Sequence, residues 1–240
     1  MTDTQTLKSR KKPLSQEPHK RLALFKDKFI GRTAFIIGNG VSSTFYDTKK
    51  LAEKGMLFGC NAGFTKHPLD FLLWADSSMN DQCYTFEGMK LTTLRRNRKF
   101  HLMKDSTYYI VNEVKKGNAG YMSIQAAIYM GFDPVILVGC DCRVFVDNKN
   151  RIKTNVFRDK AASYINRKQM KATPKKKGRL TTNLFETFAK HFHNIYKKYK
   201  DSKHIYQLGD HGILNIPVIE FSEFWTDEHP GRKGNRKSAK

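Results

Sequence analysis

The chain is short of several things. Four cysteines in 240 residues are too few for a disulfide-built scaffold, so free thiols and a reducing compartment are expected. No run of about 18 apolar residues occurs, which excludes an apolar helix long enough to span a membrane. The first residues, MTDTQTLKSRKKP, are basic but lead into no apolar segment. No secretory signal is expected there, and a cytoplasmic location is. Acidic residues are scarce: 22 Asp and Glu stand against 44 Lys and Arg, for a net charge of +22. Such an excess repels itself and is offset by a polyanionic partner, for which nucleic acid, an anionic membrane surface and ribosomes are the candidates.

What is present is enough for a core. Hydrophobic residues make up 39% and aromatic residues 12%, which excludes wholesale disorder. The length suits one domain with extensions.

The positive charge is clustered. Residues 1–28 hold 8 basic and 3 acidic side chains, 88–104 hold 6 basic and none acidic, 151–179 hold 11 and 1, and 229–240 hold 5 and none. The rest of the chain is mildly acidic. The expected organisation is a flexible basic arm over 1–28, one domain over 29–228 and a disordered basic tail over 229–240. A basic insertion or lid over 151–179 interrupts the domain. Cations neutralise phosphates and interleaved rings such as Phe157 and Tyr164 stack on bases, so nucleic acid is one reading of this insertion. A lid over an anionic small molecule is the other. The residues expected to grip a nucleic-acid backbone are Arg95, Arg96, Arg98, Lys99, Arg167, Lys168, Lys175, Lys176, Lys177 and Arg179.

Short apolar runs alternate with helical patterns. TAFIIGNG (33–40), MLFGCNAGF (56–64), FLLWADSS (71–78), RKFHLMK (98–104), DPVILVGCD (133–141), HIYQLG (204–209) and IPVIEFSEF (216–224) read as strands. Their continuous hydrophobicity is that of strands buried on both faces. The spacing predicts helices over 117–132, stopping at Gly131, and over 181–200. This alternation predicts an α/β, Rossmann-like doubly wound, mostly parallel sheet.

Several strands end in small or hydrogen-bonding residues. Gly38-Asn39-Gly40-Val41-Ser42-Ser43 follows the first, Cys60-Asn61 ends the second and Asp76 follows the third. Asn118-Ala119-Gly120 opens a helix, and Gly139-Cys140-Asp141 ends the clearest strand. The first loop is not G-x-G-x-x-G, because position 43 is Ser, and no Gly-Lys-Ser/Thr follows to make a Walker loop. Ligands of open α/β sheets bind outside the carboxyl ends of the strands. A crevice lined by Asn39, Asn61, Asp76, Asn118 and Asp141, holding a nucleotide-type ligand, is therefore expected. Cys140-x-Cys142 is not completed to a metal-ligand spacing by Cys60 or Cys83, so no metal is expected. His191 and His193 stand two apart on a helix and cannot share a face.

Taken as a set, strand-GNG-x-S, C-N-x-x-F, a small-residue turn before Y-M-x-x-x-A-A-I-x-M-G-F, and V-I-L-V-G-C-D resemble the bacterial sialyltransferases of glycosyltransferase family 42. They resemble equally the superfamily of archaeal-type hydroxymethylpterin pyrophosphokinases and flagellin-modifying motility accessory factors. The resemblance covers 33–141 well, 181–224 loosely, and not the basic arms. It implies a Rossmann-like fold and a nucleotide-sugar donor, CMP- or UDP-linked, with no tightly bound coenzyme and no metal. It places Gly38, Asn39, Gly40 and Ser42 near the donor phosphate, with Asn61, Asn118, Gly120, Gly139 and Asp141 completing the donor site.

The chain departs from this pattern in two places. The sialyltransferases carry their catalytic His just upstream of the helix matching 181–200, where this chain reads KATPKKKGRLTTN. The family's Asn after the third strand is Asp76 here. Asp76 is thus a candidate base for an acceptor hydroxyl, or else a turn cap or ribose ligand. His211, after the 204–209 strand, is the other candidate. The basic clusters suggest DNA as acceptor. The expected activity is sugar transfer to a hydroxyl on nucleic acid, above all a hydroxymethylated pyrimidine of bacteriophage DNA in the host cytoplasm. The alternatives are an ATP-dependent pterin pyrophosphokinase-like transferase, a sialyltransferase-like enzyme acting on a glycan, and a non-catalytic nucleic-acid-binding protein.

Overall fold

The structure, a computed structural model, describes residues 20–83, 85–92, 108–110, 113–146, 148, 152–153, 170–173 and 179–222. The chain opens with β1 (Lys20–Arg21) and β2 (Ala34–Ile37), then α1 (Thr48–Lys54), β3 (Met56–Cys60), β4 (Phe71–Trp74), α2 (Asn80–Cys83), β5 (Met89–Thr92) and β6 (Tyr108–Ile110). It continues through α3 (Ala119–Tyr129), β7 (Val135–Val138), β8 (Phe145–Val146), β9 (Ile152–Lys153), β10 (Lys171–Ala172) and β11 (Leu180–Thr181). It closes with α4 (Asn183–Tyr199), β12 (Ile205–Leu208) and β13 (Val218–Ile219).

Nine strands form one sheet in the order β1-β6-β5-β4-β3-β2-β7-β12-β13, and every pairing within it is parallel. The order runs one way from β2 to β6 and the other way from β7 to β13, so the direction of winding reverses between β2 and β7. That is the doubly wound α/β arrangement, with its switch point between those two strands. Ala34 lies in register with Met56 on one side and with Val135 on the other.

Both faces of the central strands are dry, which explains their unbroken apolar sequences. Successive side chains point to opposite faces. Ile36, Phe58, Leu73 and Leu137 join one cluster with Met122 and Ala126 of α3 and with Phe192 and Ile195 of α4. Phe35, Ile37, Leu57, Ile136 and Val138 join another with Leu51 of α1. Each such large side chain taken fully out of water contributes about 1.5–3 kcal/mol. Asn118 caps α3, its Oδ1 accepting from the Tyr121 N–H at 2.9 Å. Gly131 ends that helix with φ of 96°, a left-handed conformation that glycine adopts without penalty.

Residues 20–28, expected to lie in a flexible arm over 1–28, belong to the fold. Lys20 and Arg21 pair with the β6 edge, Leu22 is fully buried, and Asp27 N–H donates to the Tyr129 carbonyl at 3.2 Å. Just beyond, Phe29 stacks on Phe132 with ring centres 4.7 Å apart. An apolar Leu-x-x-Phe-x-x-x-Phe run in a basic stretch still follows burial, not charge. The strand beside β4 is Met89–Thr92, whereas the strand expected over 98–104 lies outside the described residues. Lys90 masks β5 in the sequence, yet it is buried, and that burial lowers its pKa.

Of residues 151–179, expected to form a basic insertion or lid, 152–153, 170–173 and 179 are described. Two antiparallel ribbons, β8 with β9 and β10 with β11, stand there. Among the described residues, no helix is long and apolar enough to cross a membrane.

Candidate functional site

The loops at the carboxyl ends of β2, β3 and β7, together with the start of α3, converge on a cavity of about 260 Å³. It is lined by Gly38, Asn39 and Gly40, by Cys60 and Asn61, by Asn118, Ala119 and Gly120, and by the run Gly139–Arg143. Phe185, Phe188 and Phe192 close it from α4. Eight of the nine residues expected to hold a donor, all but Ser42, line this one space.

The loop after β2 is stitched to the end of β7. Gly38 N–H donates to the Val138 carbonyl at 2.7 Å, and Gly40 N–H to the Gly139 carbonyl at 2.8 Å. The approach is close enough that a Cβ built on Gly40 would lie 2.5 Å from Asp141 Oδ2. Ser42 is buried behind the loop. Its N–H donates to Asp141 Oδ2 at 2.9 Å and its hydroxyl donates to Oδ1. Asp141 is only 5% exposed. That burial raises its pKa, against the hydrogen bonds from Ser42 and the charges of His211 and Arg143. Asp141 therefore fastens the loop as well as lining the cavity.

The cavity wall is rich in unmatched polar atoms. Asn39 Oδ1, Asn61 Oδ1, Asn118 Nδ2 and Arg143 Nε are buried and have no hydrogen-bond partner among the described residues. Unpartnered buried polar atoms are costly, about 1–3 kcal/mol each, and four of them around one space mark where a polar ligand would bind. The Asn118 amide is oriented by its own cap: Oδ1 is engaged, so Nδ2 is left over as a donor. Asn61 has φ of 50° and Cys142 has φ of 49°, so two non-glycine residues of the lining adopt the left-handed conformation. Such residues cluster at functional sites.

Arg143 is the cation among the described lining residues, and nothing local in the sequence marks it. Its guanidinium lies over the Phe145 ring, 4.2 Å from the centre, and Nη1 donates to the His211 carbonyl at 3.0 Å. The amide groups at the start of α3, Ala119 and Gly120, face the same space and favour an anion. The three phenylalanines of α4 supply an apolar wall. Their helix is set against the site by the buried Thr181, whose hydroxyl donates to the Cys142 carbonyl at 3.0 Å.

Asp76 stands apart from the group it was expected to join. Its side chain is exposed and does not line the cavity. Oδ1 accepts from the Ser78 N–H at 3.0 Å, so the carboxylate caps its own turn. His211 is not in the cavity lining either, but it stands behind the Asp141 wall. It lines a small crevice with Ser42, Gly139, Cys140 and Asp141, and Nε2 is 2.7 Å from Tyr46 Oη.

Of the cations expected to grip nucleic acid, Arg179 is described, and its guanidinium is engaged with its own chain. Nη1 and Nη2 meet both carboxylate oxygens of Asp210 at 3.0 and 3.1 Å, and Nη1 also donates to the Gly212 carbonyl. Arg95, Arg96, Arg98, Lys99, Arg167, Lys168, Lys175, Lys176 and Lys177 lie outside the described residues. All four cysteines are free, and three of them, Cys60, Cys140 and Cys142, line the cavity. Among the described residues, no group of three His, Cys, Asp or Glu side chains is placed to hold a metal ion.

No family model matches the chain, and no curated protein matches it by sequence. Solved structures do match. The MAf glycosyltransferase from Magnetospirillum magneticum AMB-1 superposes with a TM-score of 0.56 at 12% identity, over 84% of this chain and 37% of that one. The chain thus spans little more than a third of that neighbour's length. The sialyltransferase CstII from Campylobacter jejuni, in complex with cytidine-5'-monophosphate, gives a TM-score of 0.49 at 15% identity, over 79% of this chain and 85% of that one. At these identities the likeness is one of fold: the chain has the Rossmann-like α/β architecture also found in the MAf glycosyltransferase.

Proposed function

We propose that the chain is a glycosyltransferase. It takes a sugar from a CMP- or UDP-linked donor and places it on a hydroxyl of nucleic acid, above all a hydroxymethylated pyrimidine of bacteriophage DNA. One observation carries the first half of this reading. Two amide oxygens, one amide nitrogen and one guanidinium nitrogen, all buried and unmatched, surround a cavity at the switch point of a doubly wound sheet. The mix of Arg143, helix-start amides and a phenylalanine wall suits a molecule with an anionic end and a flat heterocyclic end, as a nucleotide has. At about 260 Å³ the space is near the lower end for ligand pockets. It takes a nucleotide and leaves the acceptor outside.

The acceptor rests on charge. A net charge of +22, gathered in segments that flank or interrupt the domain, matches a phosphate backbone. An exposed hydroxymethyl group on a base supplies the nucleophile once the base is reached or flipped. A pyrophosphokinase-like enzyme would bring a second carboxylate beside Asp141; Asp141 is the sole carboxylate among the described lining residues.

The test is mass spectrometry of nucleosides from hydroxymethylated DNA incubated with the protein and a panel of nucleotide sugars. A sugar-sized mass increase on the modified base is expected, along with DNA binding that weakens steeply with salt. Turnover of a CMP-sugar on a glycan with no response to DNA would move the reading to a sialyltransferase-like enzyme. Nucleic-acid binding with no turnover of any donor would leave a binding protein.

A further inference from the structure

We infer that Phe45 and Phe145 form the platform on which the acceptor base lies, a pyrimidine turned out of a nucleic-acid strand. This rests on the transferase reading above and says where its acceptor sits.

The two rings leave the cavity wall on short leads. Gly40 lines the cavity, and the turn that follows it, Val41–Phe45, ends in Phe45. Arg143 lines the cavity as well, and β8 opens just after it with Phe145. The rings meet with centres 6.5 Å apart and planes at 89°, the edge-to-face arrangement that aromatic quadrupoles favour. Together they form a corner of apolar surface. The Arg143 guanidinium lies over Phe145, 4.2 Å from the ring centre. Donor cavity and aromatic corner thus share Arg143 as a common wall.

Phe45 is 53% exposed, although covering a phenylalanine ring is among the larger gains of folding. A loose loop does not explain this. Ser42, earlier in the same turn, is buried and gives its N–H and hydroxyl to Asp141. Tyr46, next in sequence, donates its hydroxyl to the Leu208 carbonyl at 3.1 Å. The turn is therefore pinned on both sides of the ring, and the fold holds Phe45 out in water. Val146 and Leu184, next in sequence to Phe145 and to the lining residue Phe185, are exposed too. Exposed apolar side chains scattered singly carry no meaning, but grouped beside a cavity they mark a binding surface.

Charge selects what covers the corner. Phe145 lies in register with Lys153 of β9, and β9 belongs to the stretch 151–179, which holds 11 basic side chains and 1 acidic. Such a stretch attracts phosphates, and an exposed ring takes the flat face of a base whatever its sequence. A nucleic-acid strand offers both at once. A neutral glycan offers no phosphate to the cations. A base swung out of its strand into this corner brings its substituent beside the cavity that holds the donor.

Two measurements on the full chain test this. The first is photocrosslinking of the native protein to a single-stranded oligonucleotide carrying one 5-iodouracil, followed by mass spectrometry of the peptides. A crosslink at Phe45 or Phe145 is expected. Crosslinks confined to other residues overturn the platform.

The second is fluorescence anisotropy with oligonucleotides that carry either 5-hydroxymethylcytosine or an abasic site at one position. The native protein is expected to prefer the base about 10- to 100-fold. F45A is expected to lose that preference with CMP and UDP affinity unchanged, and F45W to keep it. A folded F45A that retains the full preference overturns the platform and leaves the transferase reading standing. If F45A abolishes uptake of a glycan acceptor, or turns a dimer into a monomer, while DNA binding is unchanged, the surface belongs to that other occupant and the inference falls. A native protein that binds neither nucleotide nor DNA overturns the transferase reading and the platform with it.

Discussion

Ser42 and Asp141 are 99 residues apart in the chain, yet the serine gives both its N–H and its hydroxyl to the aspartate's two carboxylate oxygens. The pair locks the loop after β2 onto the end of β7, across the line where the sheet reverses its winding. Both partners are buried, so water does not compete for these bonds.

The first prediction concerns pH. Burial raises the Asp141 pKa above its ordinary 3.8. A carboxyl whose native pKa is raised contributes stability that is complete below its unfolded value and lost as pH rises through the native one. D141N fixes the neutral state at nearly the same shape. Urea unfolding from pH 7 down to below 4 is therefore expected to show the native protein gaining stability relative to D141N. A constant difference would mean that the charge is fully compensated. D141A strands both Ser42 donors and is expected to cost about 1–3 kcal/mol for each.

Gly40 has an ordinary φ of −68°, so its need is for space and not for a special conformation. A methyl group there meets Asp141 Oδ2 at 2.5 Å and the Gly139 carbonyl oxygen at 2.5 Å. G40A is expected to lose about 1–3 kcal/mol in denaturant unfolding, with weaker nucleotide binding. An unchanged midpoint would show that the loop yields.

Arg143 is expected to govern nucleotide affinity. Losing a charge-assisted hydrogen bond costs about 1.5–3 kcal/mol, so R143M should weaken CMP or UDP binding about 10- to 100-fold by calorimetry. R143K keeps the charge but loses the planar group that lies over Phe145 and reaches His211. It is expected to recover only part of the affinity. Full recovery would reduce the role of Arg143 to charge alone.

The thiols are expected to be inert in the folded state. Burial pushes Cys60 up to about 11 and Cys83 up to about 12, and it raises Cys140 and Cys142 as well. The thiolate is the reacting form, so a disulfide reagent at pH 8 should modify them about 100-fold or more slowly than free cysteine. All four should react at once in guanidinium chloride. Fast labelling of one thiol in the native protein would show that the cavity opens.

Strands β2, β3, β4, β7, β12 and β13 were legible because each lies in a short apolar run ended by glycine or a polar residue, which is local information. The helix start at Asn118 and the Gly131 stop were legible for the same reason. β5 was not, because Lys90 breaks its pattern and only the packing around Met89 and Leu91 reveals it. Asn39, Asn61 and Asp141 were found through their place after strands, and Asn118 at a helix start, since topology brings strand ends and helix starts together.

The same rule misplaced Asp76, whose carboxylate satisfies its own turn before it reaches the crevice. Arg143 was missed because it follows the recognisable Gly-x-Asp by two positions and looks like any surface arginine. The phenylalanines of α4 read as core, and they are core on one side. His211 was singled out by its place after a strand, but its contact with Tyr46, 165 residues away, has no sequence signal.

The reversal between β2 and β7 means that neither half of the polypeptide holds the pocket by itself. Residues before 93 bring one wall and residues after 112 bring the other. Two separately expressed fragments would have to dock along β2 and β7 before anything could bind. A nucleotide that fits would then act as a clasp, drawing the halves together and raising the unfolding midpoint in proportion to the logarithm of its concentration.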